Sequence, residues 1–304
     1  MIVVAGVLWG TSGVFVHYMT PYGFSPLQLT ALRGSVALAF MALTLPGRRP
    51  SPFAVDRRQL LLCMGSGLGF FATASCYYAA MRLVGVSTAA VLMYTAPVLV
   101  LLYSAVFLGE RLTAFKSLLI LMMPVGCVLV SGGIGSMRFD LLGILLGIAS
   151  AFAYAAYNVF TKLALRRGAD ASTVTFYTFL FMAMAAILSC RPWEMVACVV
   201  KAPAATLLWS LGLGVVTAVL PYFLYALALR VLPAGTASAL SVVEPVSATL
   251  FGVFLLREEI DLYAGIGILL ILLAVCLLSL GEKTGERGDA LETENIEPQR
   301  SISK

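Results

Sequence analysis

Two ionisable residues stand well inside long apolar runs: Glu244 in Thr236–Leu255 and Arg33 in Leu27–Leu45. An ionised side chain at the centre of a bilayer costs about 2.5–3.5 kcal/mol on insertion scales, so such a residue needs a partner or a task. Glu244 is followed by Pro245. Proline has no N–H to donate and leaves a carbonyl free one turn upstream. A carboxylate beside a freed carbonyl suits a cationic group or a proton. The plainer reading is a structural Glu, protonated or hydrogen-bonded at a helix seam, and residue type alone leaves both open. Arg33 offers a planar fork to a solute carboxylate. It can equally snorkel to the outer interface or pair with a backbone carbonyl.

Aromatic residues recur at central depths: Trp9, Tyr77, Tyr78, Tyr94, Tyr154, Tyr157, Tyr222 and Tyr225. Together they could wall a cavity for an aromatic or quaternary-ammonium solute through stacking and cation–π contact. Taken singly, each reads as a packing residue. Asn158 is the remaining strong hydrogen bonder at depth, while Gln28 and His17 lie near the outer end. The candidate binding set is therefore Glu244, Trp9, Tyr78, Tyr94, Tyr157, Asn158, Tyr222 and Arg33. Pro97 and Pro245 are candidate helix breaks that permit bending. His17 is the only histidine, the six cysteines form no CxxC pair, and no phosphate-binding glycine loop occurs. A metal site, a cofactor and an internal ATPase are thus not expected. An intramembrane lipid-modifying enzyme would need several His, Asp or Ser residues at one depth; one terminal His and one central Glu fall short of that.

These residues need elements to hold them. The 304-residue chain is 61% hydrophobic and 12% charged, with mean hydropathy +0.97. Soluble domains have roughly 45–50% apolar and 25% charged residues, so lipid must be the solvent. Spans need about 20 apolar residues. Ten candidates follow: Met1–Tyr18, Leu27–Leu45, Leu60–Met81, Ser87–Leu108, Phe115–Val130, Leu141–Leu163, Ser172–Cys190, Ala204–Leu229, Thr236–Leu255 and Leu262–Leu280. The first reads as a span and not as a removable signal, since no basic stretch precedes it and no cleavage site follows. Short connections predict that sequential helices pack as antiparallel neighbours. Gly281–Lys304 is polar and reads as a disordered tail.

The chain repeats itself. A shift of 148 places Tyr77 on Tyr225, Arg82 on Arg230, Thr88 on Thr236, Pro97 on Pro245 and Glu110 on Glu258. A shift of 145 places Val14-Phe15 on Val159-Phe160 and His17 on Lys162. Residues 1–132 and 133–280 are thus read as two five-helix repeats. Five is odd, so the second enters the membrane from the opposite face, an architecture of many secondary transporters. With both termini inside, the cytoplasmic loops hold ten basic residues (Arg48, Arg49, Arg57, Arg58, Arg111, Lys116, Lys162, Arg166, Arg167, Arg230). The outer loops hold five (Arg82, Arg138, Arg191, Lys201, Arg257). The positive-inside rule selects that orientation. The same charges explain the formal net charge of +5 without nucleic acid.

Several phrases occur in a characteristic order: Leu8-Trp9-Gly10-Thr11-Ser12, then Arg33, then Ala96-Pro97-Val98 ending in Leu108-Gly109-Glu110-Arg111. Val243-Glu244-Pro245-Val246 ending in Arg257-Glu258-Glu259 completes it. This pattern resembles the EamA-type transporters of the drug/metabolite transporter superfamily over residues 2–280. The resemblance implies an all-α polytopic protein of the cytoplasmic membrane, with ten transmembrane helices as two inverted repeats. It also implies a central cavity and alternating access. The expected partners are a small-molecule substrate, the lipid bilayer and a proton or other coupling ion. The chain would act as a monomer or homodimer. The expected task is export of a small organic metabolite, an amino acid or related compound; uptake of a quaternary amine such as choline is the alternative.

Overall fold

The computed structural model describes residues 1–44, 55–109, 113–130, 140–257, 262–278 and 280, apart from the side chains of residues 86, 87 and 256. The polar tail and the phrase endings Glu110-Arg111 and Glu258-Glu259 lie outside the described residues. All regular structure among the described residues is helical. In lipid no water satisfies backbone N–H and C=O groups, so each span must bond within itself.

The helices are α1 (Ile2–Gly10), α2 (Ser12–Met19), α3 (Pro26–Thr44), α4 (Arg57–Met93), α5 (Ala96–Leu108), α6 (Ala114–Val130) and α7 (Leu141–Arg166). There follow α8 (Ala171–Ser189), α9 (Pro192–Lys201), α10 (Pro203–Gly214), α11 (Leu220–Val231), α12 (Ala234–Leu240), α13 (Val243–Leu256) and α14 (Leu262–Leu278). Grouped by length and hydropathy, they make eight segments able to cross a membrane. The fifth and tenth expected spans appear as the shorter apolar helices α6 and α14. The helix α9 was not anticipated. It is a ten-residue surface element between two spans, with Cys198 turned inward and Trp193, Val196 and Val200 exposed. Cys190 and Cys198 at its two ends are both free thiols.

Local chemistry sets the boundaries. Asp56 and Gln59 form a reciprocal capping box at the start of α4, with bonds of 2.7 and 3.2 Å. Asp140 accepts from the Gly143 N–H at 2.8 Å to start α7. Asp170 accepts from the Ser172 N–H at 3.1 Å to start α8. Such caps satisfy N–H groups that have no partner inside the helix. Gly85, at φ +82°, separates the third span from the fourth.

The largest interfaces do not join sequential spans. They pair α4 with α7, α3 with α8, α4 with α8 and α5 with α7, followed by α1 with α13 and α5 with α12, each crossing from one half of the chain to the other. This corrects the expectation of packing between sequence neighbours. The reason is where the small residues lie. A Cβ on Gly67 would stand 2.6 Å from the Thr178 carbonyl oxygen, and one on Gly143 would stand 2.5 Å from Val84. Glycines let backbones approach where lipid supplies no hydrophobic drive between helices, and here they line the seam between the halves. The lipid-facing exterior is apolar, with Leu188 and Phe254 widely exposed, while Asn158, Ser66 and Thr161 are buried.

The charge count places Lys162 in a cytoplasmic loop. Instead α7 continues to Arg166 and Lys162 is buried, its ammonium donating to the Leu229 carbonyl and, at 2.6 Å, to that of Leu232. It caps the end of α11, where carbonyls lack helical donors.

Candidate functional site

Three spans break part-way along their length, and each break carries a hydroxyl that donates to a carbonyl three residues upstream. Thr11 donates to Leu8 at 2.7 Å, Thr95 to Leu92 at 2.7 Å and Ser241 to Ser238 at 2.6 Å. These bonds occupy part of what the helix interruption leaves unpaired. Pro97 lies in the first turn of α5 and Pro245 in the first turn of α13, just after the second and third breaks.

Those two breaks face one small cavity, lined by Met93, Tyr94, Ala96, Pro97, Tyr154, Ser241, Val242 and Glu244. Under the 148-residue shift, Met93 falls on Ser241, Tyr94 on Val242 and Ala96 on Glu244. The cavity is thus built from matched positions of both halves, yet only one half supplies a carboxylate. Glu244 is half-buried, and its backbone N–H donates to the Ser241 carbonyl at 2.9 Å. Gly6 of α1 packs closely against this break: a Cβ there would stand 3.3 Å from the Ser241 carbonyl oxygen.

Beside the cavity lies an aromatic cluster. Tyr222 is its hub, with ring centroids 4.7 Å from Phe70, 4.9 Å from Trp9, 5.4 Å from Phe179 and 6.1 Å from Tyr157. Tyr154 joins through Tyr157 at 5.7 Å. The Arg33 guanidinium does not reach for the interface. It lies 5.3 Å from the Phe70 ring centroid and 5.9 Å from that of Tyr222, a cation–π placement that suits a charge in an apolar interior. The Tyr225 hydroxyl donates to Asn158 Oδ1, and Asn158 Nδ2 donates to the Tyr154 carbonyl at 2.8 Å. Asn158 is therefore fixed within the protein. A second, smaller cavity adjoins Tyr222, walled by Tyr157 and Phe179 and by Thr161, Thr175 and Thr178. Ser66 bonds to the Thr161 and Thr178 hydroxyls at 2.8 and 2.9 Å, tying α4 to α7 and α8.

Of the sequence candidates, the structure thus gathers Trp9, Arg33, Tyr157 and Tyr222 into the aromatic cluster, and Tyr94, Pro97 and Glu244 into the first cavity. Tyr78 stands apart, its ring contact being with Tyr77 at 5.8 Å. Phe70 and Phe179 were missed. Phenylalanine in an apolar run is ordinary, and only its neighbours reveal it. The place of Tyr222 follows from a π-helical stretch, Val215–Val219, just ahead of it. Such a bulge rotates the residues that follow and recurs at functional sites.

Comparison with known proteins agrees with this architecture. A model of the EamA-like transporter family matches residues 1–132 and 141–280. An uncharacterized transporter of Archaeoglobus fulgidus is 32% identical, over 91% of this chain and 94% of its own length. The uncharacterized transporter YwfM of Bacillus subtilis is 24% identical, over 95% of this chain and 96% of its own. A solved crystal structure shares the fold, with a TM-score of 0.76 and 22% identity over 93% of this chain and 96% of that one. The chain is a multi-pass membrane transporter belonging to the EamA-like transporter family, within the drug/metabolite transporter superfamily.

Proposed function

We propose that the protein moves a small organic metabolite, an amino acid or related compound, by alternating access around the Glu244 cavity, and that the direction is export. The observation that carries this reading is the cavity itself, set where two matched, broken spans face each other and holding one carboxylate. The two halves then act as inverted repeats that rock about this point, with Pro97 and Pro245 at the bends. The proposed setting is the cytoplasmic membrane with both termini inside, in line with ten basic residues on that side against five. One chain holds both halves, so a monomer suffices. One observation favours a second cargo, a quaternary amine such as choline: Tyr94 and Tyr154 share the cavity with Glu244.

Proteoliposomes loaded with a panel of amino acids and amines test the proposal. Wild type should release at least one of them, and Glu244→Gln should slow that release about tenfold or more, the loss expected for a hydrogen bond to a charged group. The variant's melting temperature without solute should match that of wild type. Full flux in Glu244→Gln would remove the carboxylate from the transport site.

A further inference from the structure

Two buried donors beside Tyr222 lack acceptors. Trp9 is only 4% exposed, and its Nε1 has no hydrogen-bond partner among the described residues. The same holds for Arg33 Nε. Indole and guanidinium are donors only, with no lone pair to offer each other. Both adjoin the same ring: the Trp9 centroid is 4.9 Å and the Arg33 guanidinium carbon 5.9 Å from the centroid of Tyr222. A buried donor left unmade costs about 1–3 kcal/mol, and more when charged. The rings of Phe70 and Tyr222 offset part of the Arg33 charge but leave Nε without an acceptor. Neither Trp9 nor Arg33 lines the cavity that holds Glu244. Tyr222, which touches both, instead walls the second cavity. The interior therefore has two poles: an acceptor-only carboxylate in one cavity, and a pair of orphaned donors against Tyr222, which walls the next.

Resting on the transport reading above, we propose that Trp9 and Arg33 form a subsite for a carboxylate on the transported solute. The cargo is then a zwitterion, with its amine at Glu244 and its carboxylate at the two donors. A carboxylate is acceptor-only and planar, which matches an indole N–H together with a guanidinium edge. A simple cation such as choline would satisfy Glu244 and the tyrosines and leave both donors unpaired. That loss discriminates strongly, because a site built to hydrogen-bond a group rejects an analogue that lacks it.

Matched probes test this on the purified full-length chain. The pairs are glycine betaine against choline, leucine against leucinamide, and phenylalanine against phenethylamine, read by thermal stabilisation. Within at least one pair the carboxylate-bearing member should stabilise wild type and its partner should not. Trp9→Phe keeps a ring and removes one N–H, so it should weaken that ligand about tenfold. Arg33→Gln should bring the two members of the pair to about equal affinity. If Arg33→Gln does not fold, Trp9→Phe still decides. Stabilisation by the members without a carboxylate overturns the subsite and leaves the transport reading standing. An unchanged preference in both variants also overturns it. If no member of any pair binds, the subsite and the proposed cargo class fall together.

Discussion

Arg257 is the only non-glycine residue with positive φ among the described residues, at φ 58°, ψ 36°. It ends α13 as Gly109, at φ 66°, ψ 27°, ends α5, and the two positions match under the 148-residue shift. The left-handed conformation costs an L side chain roughly 1–2 kcal/mol, which glycine avoids. One half of the molecule meets this helix ending with glycine, and the other bears the strain. Arg257→Gly should therefore stabilise the protein by about 1 kcal/mol. Gly109→Ala should destabilise it by a similar amount, about 1 kcal/mol, although nothing stands within 4 Å of the added Cβ. Thermal unfolding of both variants in one detergent checks the pair. Equal signs would show that side-chain contacts, not backbone conformation, set the balance at these ends.

At the scale of elements, hydropathy located the eight span-length segments and the two shorter apolar helices α6 and α14 to within a few residues, because lipid demands long apolar stretches and short polar connections. It did not locate the breaks. A helix that turns at Tyr94–Thr95 or Ser241–Val242 keeps the same hydropathy as a straight one, and only Pro97 and Pro245 hinted at the interruption. Nor did it show α9, which is too short and mixed to register as a span, or which helices pair. Pairing depends on which face of each helix carries glycine, as the first span, α1 and α2, illustrates. A Cβ on Gly10 would stand 2.6 Å from Ser247 Cβ and 2.8 Å from the Ala248 backbone nitrogen of α13, whereas a Cβ on Gly13 meets nothing within 4 Å. Backbone cannot move aside as a side-chain tip can. Gly10→Ala should therefore part α1 from α13 and cost about 1–3 kcal/mol, the usual range for overpacking. Gly13→Ala should be neutral or slightly stabilising, since alanine favours helix over glycine by about 1 kcal/mol. Melting curves of the two variants make the comparison. A loss from Gly13→Ala equal to that from Gly10→Ala would mean that α1 does not sit against α13 as described.

At the scale of the whole molecule, the two halves meet along glycine-lined seams, and on one face polar bonds also join them. Arg166 at the end of α7 donates to the Leu108 carbonyl, the last of α5, at 2.8 Å. Gln59 near the start of α4 donates to the Arg167 carbonyl at 2.9 Å. Close by, Arg230 pairs with Asp170 at 3.3 Å. Burial pushes the Asp170 carboxyl up. The Ser172 hydroxyl and N–H, the Ala171 N–H and the Arg230 guanidinium outweigh that and hold it below the usual aspartate range. Under the proposed orientation this face is the cytoplasmic one. In the proposed rocking such bonds must break whenever this side opens, so they would set part of the free-energy difference between the two states. Arg166 is exposed, so its bond to Leu108 is worth about 1 kcal/mol, enough to change the open population about fivefold. Arg166→Gln should then speed hydrogen exchange several-fold in peptides covering the last turn of α5 and the loop from Arg167 to Asp170. Peptides around α9 on the opposite face should keep their wild-type rates. The matching control is Arg191→Gln, because among the described residues Arg191 pairs within its own turn, with Glu194 at 2.9 Å and both side chains largely exposed. It should leave exchange at α5 unchanged. If both variants raise exchange across the molecule alike, the effect is general loosening. If Arg166→Gln raises none, the seam alone holds this face closed, and the search for the gate moves to the glycines of α4 and α7.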